Sequence, residues 1–216
     1  MYKIYINGTP LFFISTKDFK TLELKGDNFI KMRYVGKKKF LHNYIDLLDK
    51  NTAFDAIVLH FNDLERLWND FKAIFKIVKA AGGIVENEKG EILMIYRMQH
   101  WDLPKGKIEK KESKKDAAVR EVMEETGVQN IDLQELIHTT YHTYIDRKGR
   151  RVLKITYWYA MKTSDSNLVP QSEEDIEEAV FKNMDEFFST PKKIYGNILD
   201  VINIYQEKVN NSKSGQ

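Results

Sequence analysis

The sequence predicts an α/β fold with a mixed sheet, preceded by a small α+β unit, and three features point that way. Apolar and polar residues alternate in short runs bounded by turns, amphipathic stretches of helical period fall between them, and near Phe75 the pattern shifts to longer strands. A length of 216 residues suits one full domain with a smaller companion.

Composition bounds the function. Apolar residues make up 42% and charged residues 31%, with a net charge of +2, as in an ordinary globular protein. That balance predicts no nucleic-acid partner. No apolar run approaches the ~20 residues of a membrane span, and Met1 leads into the alternating Tyr2-Lys3-Ile4-Tyr5-Ile6. The expectation is a cytoplasmic protein with no membrane partner. There is no cysteine, so a metal would be held by carboxylates or histidines, which favours Mg²⁺ or Mn²⁺ over zinc.

The first strand turns at Asn7-Gly8-Thr9-Pro10 and returns through Leu11-Phe12-Phe13-Ile14 as a hairpin. A strand over 29–35, helices over 38–49 and 63–75, and a buried strand at Ala56-Ile57-Val58-Leu59-His60 complete an N-terminal unit over 1–75. A second domain over 76–209 follows, with strands at 76–85 and 92–97, a helix over 113–126, and strands at 131–145 and 152–161. A short helix near Asp185 and a last one over 194–208 close it, and 210–216 reads as a disordered tail because it lacks apolar residues.

The helix over 113–126 carries the chemistry. Ser113 and Asp116 make a capping-box-like start, and Gly127 supplies the left-handed residue that ends it. At roughly 100° per residue, Val119, Val122 and Met123 share a face suited to a sheet, and Glu121, Glu124 and Glu125 share the opposite one. Three carboxylates in one turn repel, and a hard divalent cation relieves that. Ala117 and Ala118 on the glutamate side would leave room for a metal-bound phosphate. Arg120 is placed to clamp Glu112 of the preceding loop, and the carbonyl of Gly106 is a further candidate ligand.

Gly106, Glu112, Arg120-Glu121, Val122, Glu124-Glu125, Thr126-Gly127 and Val128, at these spacings, resemble the Nudix box of the Nudix hydrolase family. The likeness extends upstream through Ala80-Ala81-Gly82-Gly83, Gly90-Glu91-Ile92-Leu93 and Trp101-Asp102-Leu103-Pro104-Lys105-Gly106-Lys107. Downstream it takes in Glu173 to Phe181, with Phe181 where a tryptophan is frequent. Residues 1–75 lie outside it. The resemblance implies a Nudix α/β/α sandwich and metal-dependent hydrolysis of a pyrophosphate linkage in a nucleoside-diphosphate-type substrate. Glu121 and Glu125 would be the principal metal ligands, Glu124 a ligand or the general base, and Glu178 a second candidate base.

The box names the bond and not the molecule. Leu103-Pro104-Lys105-Gly106 resembles members acting on diadenosine or diphosphoinositol polyphosphates, and Tyr144 stands where dinucleoside polyphosphate hydrolases carry a tyrosine, which favours a dinucleoside polyphosphate. Arg97, Lys105, Lys107 and Lys154 are candidates for binding the phosphates. The alternatives are a house-cleaning hydrolase of non-standard nucleoside triphosphates and a ligand-sensing module without turnover; a sensor would be expected to have lost a box glutamate, and this chain keeps them all. The expected partner is a small phosphorylated substrate, with residues 1–75 as a candidate homodimer surface.

Overall fold

The computed structural model describes residues 1–24, 26–50 and 53–214. The chain divides into two compact units, residues 1–78 with 141–155, and residues 79–140 with 156–216.

In the first unit β1 (Tyr2–Ile6) and β2 (Thr9–Ser15) form the expected hairpin. β2 runs parallel to β4 (Ala56–Phe61), which runs parallel to β3 (Phe29–Arg33). Parallel strands need crossovers; α1 (Lys38–Lys50) supplies one and α2 (Leu64–Lys72) follows β4. Leu41, Ile45 and Leu48 of α1 and Leu67 and Phe71 of α2 are buried at helical spacing, and Phe71 meets Phe13 edge to face at 5.0 Å. The unit also takes in a later segment. Tyr141 and His142 of β9 (Asp132–Ile145) pair in parallel with Ile4 and Tyr5. The sequence reading gave 141–155 to the second domain; two free ladder edges meeting there assign it to the first unit.

The second unit is built on strands in the order β11-β6-β5-β10-β9: β11 (Ile176–Lys182), β6 (Ile92–Arg97), β5 (Lys76–Asn87), β10 (Arg151–Thr163) and β9. Two short strands the sequence did not suggest, β7 (His100–Asp102) and β8 (Lys105–Lys107), pair with β6 and β5. Alternation along each strand sorts the core into two layers. Ala81, Val85, Leu93 and Met161 pack under α3 (Lys114–Thr126) through Ala117, Ala118 and Val122. Ile84, Met94, Leu103, Trp158 and Ala160 pack under α4 (Met184–Phe188) and α5 (Gly196–Ser214) through Met184, Phe187, Ile198, Val201 and Ile202. Helices on both faces make the α/β sandwich that the resemblance implies. Gly83 lets α3 approach, since a Cβ there would lie 2.6 Å from Met161 Sδ and 3.0 Å from Val122 Cγ2. The expected disordered tail is corrected in part. α5 runs on to Ser214, its buried residues upstream having nucleated a helix that continues past the apolar stretch; residues 215 and 216 lie outside the described residues.

Candidate active site

α3 begins where Ser113 Oγ accepts the Asp116 N–H at 3.1 Å and donates to Asp116 Oδ2 at 2.8 Å. It ends at Gly127, in the left-handed region at φ 78°. Between these caps Glu121 and Glu125 are not on the solvent face. Ala117, Ala118, Glu121, Val122 and Glu125 are all buried, within an arc of roughly 140°, while Val119 and Met123 are only half-buried. The two alanines are core contacts rather than open space beside a phosphate. The face differs from the expected one because Glu121 and Glu125 are accepted inside, where polar groups from β6 and β8 meet them.

Glu125 is fully buried. Its Oε2 accepts the Lys105 backbone N–H at 2.8 Å, and its Oε1 has no hydrogen-bond partner. The nearest charge to Oε1 is Arg97 Nη1 at 3.6 Å, too far for a hydrogen bond and close enough for attraction. Burial pushes the Glu125 carboxyl up to about 7, against the pull of the Lys105 charge and N–H and of Arg97. Glu121, 7% exposed, is also raised by burial, with Arg120 opposing. A Cβ on Gly106 would lie 1.8 Å from Glu121 Oε2, so only glycine lets the β8 backbone approach that carboxylate.

Arg120 joins loop and helix as expected. It donates from Nε to Glu112 Oε1 at 2.7 Å and from Nη2 to Glu112 Oε2 at 2.9 Å. Its Nη2 also reaches the Lys107 carbonyl at 3.1 Å. Its Nη1 bridges Glu121 Oε1 at 2.9 Å and Glu124 Oε2 at 2.8 Å. The guanidinium, with the Glu109 N–H, holds the Glu112 carboxyl below its usual range. Glu124 differs from its neighbours: its side chain is 50% exposed and reaches water.

Other expected residues fall elsewhere. The Lys105 ammonium is buried against Asp102 and the Leu103 carbonyl, so Lys105 meets Glu125 through its backbone N–H and its charge from within the core rather than reaching out to a phosphate. Lys107 is exposed on β8 and contributes its carbonyl to Arg120. Glu178 lies opposite Tyr96 in the β11–β6 register. Leu93 faces α3 while Met94 faces α5, so by alternation Arg97 is on the α3 side and Tyr96 with Glu178 on the α5 side. That parity turns Glu178 away from the box. The late carboxylate nearest the site is Glu174, 3.9 Å from Arg97 Nη1; the sequence held no signal for it, because the left-handed Asp175 and the irregularity between Ile176 and Glu178 offset the count along the segment. Tyr144 and Lys154 belong to the first unit, whereas the box lies in the second.

Among the described residues no three of His, Asp and Glu stand together as a finished metal centre, and Arg120 Nη1 occupies the position between Glu121 and Glu124. The donors still fit a hard divalent cation: carboxylate oxygens and the Gly106 carbonyl, with a buried Oε1 on Glu125 that lacks a hydrogen bond.

A family model described as the NUDIX domain matches residues 76–200. Over 79 residues, 37% of this chain and 30% of the relative, the sequence is 42% identical to a Mycobacterium tuberculosis protein that carries the mutator name MutT4. Over 166 residues, 74% of this chain and 40% of the relative, it is 28% identical to the mRNA-decapping enzyme subunit 2 of Arabidopsis thaliana. The chain thus spans 30% and 40% of the lengths of these curated relatives. Among solved structures, an Ap4A hydrolase of C. elegans aligns over 62% of this chain and 98% of that one, at 19% identity and a TM-score of 0.48. With more than half of the chain matched, and the box residues gathered as described, the chain belongs to the NUDIX family.

Proposed function

We propose that this Nudix hydrolase cleaves a pyrophosphate linkage in a nucleoside polyphosphate, with Glu121, Glu124, Glu125 and the Gly106 carbonyl holding a divalent cation, Mg²⁺ or Mn²⁺. The observation that carries the reading is a pair of glutamates buried side by side on α3, one with an oxygen that no hydrogen bond satisfies. Two such groups in a core cost stability unless they serve a charged ligand.

Bound there, a divalent cation supplies polarisation of the phosphoryl oxygens and neutralises charge on the leaving phosphate. The chain's own residues divide the remaining work. Glu121 and Glu125 are fixed by burial, Glu125 further by the Lys105 N–H, which suits them to hold position. Glu124 is the box carboxylate in contact with water, which suits it to take the proton from the attacking water. Arg120, anchored by Glu112 and the Lys107 carbonyl, orients Glu124 and Glu121 together. Arg97 sets a positive charge between Glu125 and Glu174 at the edge of the site.

Within this class we favour a dinucleoside polyphosphate, supported by the Leu103-Pro104-Lys105-Gly106 entrance. Product analysis with Mg²⁺ decides the matter. Diadenosine tetraphosphate should give ATP and AMP, whereas a house-cleaning enzyme should act on a nucleoside triphosphate and release a monophosphate and pyrophosphate. Glu124→Gln and Glu125→Gln should each lower turnover by at least ~10²-fold. Near-normal rates in both variants would overturn the assignment of the site.

A further inference from the structure

The whole-chain charge of +2 conceals a local excess. Residues 1–78 with 141–155 carry 18 Lys and Arg against 10 Asp and Glu. Within that unit the stretch Lys31-Met32-Arg33-Tyr34-Val35-Gly36-Lys37-Lys38-Lys39-Phe40 holds five cations and no carboxylate. Lys38 reaches Asp70 at 3.7 Å, and all five cations are exposed. A concentration of one sign on one short segment favours a partner of the other.

The stretch begins on β3, at the rim of the sheet. Both faces of that sheet are covered nearer its centre. On one, Phe13 meets Phe71 of α2; over the other passes the chain beyond β2, where Phe19 stacks on His60 at 4.2 Å and Ala56 and Val58 are buried. The rim differs. Among the described residues β3 pairs with β4 alone. The Tyr34 N–H donates to the His60 carbonyl at 2.9 Å, and Arg33 stands opposite His60 in the parallel register, so the even-numbered residues of this strand bond to β4. By alternation the N–H and C=O of Phe29, Lys31 and Arg33 point outward, where no strand receives them. The side chains there are open as well. Lys31 and Arg33 are exposed on one side of the strand, and Met32 is 49% exposed on the other. Val35 and Phe40, just beyond, are 58% and 44% exposed.

We propose that the rim of β3 takes up an extended acidic segment of another protein as an added strand, its backbone completing the ladder and its carboxylates, at alternate positions, meeting Lys31 and Arg33. Strand addition to an open edge draws affinity from main-chain hydrogen bonds and selectivity from alternate side chains. Opposite charges across a strand pair attract, and like charges repel. The residue between the carboxylates falls on the side of Met32, so it is apolar. A second copy of this chain fits poorly. Antiparallel pairing of β3 with itself, centred on Lys31, sets that lysine against its own copy, and β11, the acidic strand of the second unit, carries Glu177 and Glu178 at adjacent positions and hence on opposite faces. Nucleic acid and lipid have no peptide groups to offer a ladder.

The test is fluorescence anisotropy of a labelled peptide of about eight residues, glutamate alternating with valine, titrated with the full chain. Saturable binding is expected, weakening as salt rises, and a peptide with lysine in place of glutamate should bind at least ~10-fold more weakly. Two further peptides carry N-methyl groups on the odd or on the even amides. One should keep its affinity and the other lose at least ~10-fold, because only alternate N–H groups enter the ladder. Lys31→Glu and Arg33→Glu should each weaken binding roughly 5-fold or more. Lys31→Pro removes an outward N–H and leaves the pairing with β4 whole, so it should weaken binding at least ~10-fold while hydrolysis of small nucleotides stays within about twofold. Should that variant melt early by circular dichroism, the methylated peptides decide with the unaltered chain. The proposal is overturned by no binding, by equal affinity for the lysine peptide, by the same response to both methylated peptides, or by sedimentation as a dimer that Lys31→Pro dissociates, which would give the rim to a second copy. Loss of hydrolysis in the unaltered protein would sink the enzymatic reading and leave this one standing.

Discussion

Lys105 illustrates how a side chain and its backbone can serve different ends. Its ammonium is buried with Asp102, while its N–H gives the Glu125 carboxylate its one hydrogen bond among the described residues. Lys105→Met should therefore act on stability and not on substrate affinity. Removing one partner of a buried pair costs about 3–5 kcal/mol, to be read as a lowered urea midpoint. A raised KM at unchanged stability would instead return the ammonium to the phosphates. His60 permits a second measurement. Burial, then the Arg33 charge, lowers its pKa below the usual 6.5. As pH falls below about 6.5, the unfolded chain takes up this proton first, so stability falls between 6.5 and the folded-state value and is independent of this group above 6.5. The imidazole NMR titration should show the depressed midpoint, and His60→Leu should flatten that part of the stability profile.

At the scale of elements, α3 was the most legible. Ser113, Gly127 and the Glu112–Arg120 clamp are local signals, set by chain geometry within a few residues, and all stand where the sequence placed them. Ser113→Ala should cost ~1 kcal/mol in denaturant unfolding, with the fold intact. What a helix faces is a tertiary fact. The sequence set the three glutamates together on the face opposite the sheet; Glu121 and Glu125 instead lie inward beside Ala117, Ala118 and Val122, because Gly106 admits the backbone so closely and Lys105 offers its N–H. β7 and β8, three residues each, are too short to show a period and exist only as partners of β6 and β5. The same holds for Glu178, whose side of the sheet depends on one irregularity in β11. The hairpin of β1 and β2 and the buried strand β4 were legible because turn residues and continuous apolar runs need no partner to be recognised.

At the scale of the whole molecule, the cation proposed for the acidic site would make stability depend on solution conditions. Mg²⁺ or Mn²⁺ should raise the melting temperature in a concentration-dependent way, by about 2.7 kcal/mol of stability at a hundredfold excess over Kd, and EDTA should reverse it. Glu121→Gln should diminish the shift, and an equal shift in that variant would place the ion elsewhere. Without the ion Arg120 Nη1 lies between Glu121 and Glu124 and offsets part of their charge, so the ion should act chiefly through Glu125 and the repositioning of that pair.

The placing of residues 141–155 in the first unit has a consequence for how the chain is made. The strand that pairs with the second edge of β1 is not translated until more than a hundred residues after β1. At the ~5–20 residues per second of translation, that edge waits for several seconds or longer, a ladder with one side unfilled. The nascent amino-terminal part is therefore the piece most in need of a chaperone, and a ribosome stalled before residue 141 should display it in its most aggregation-prone form.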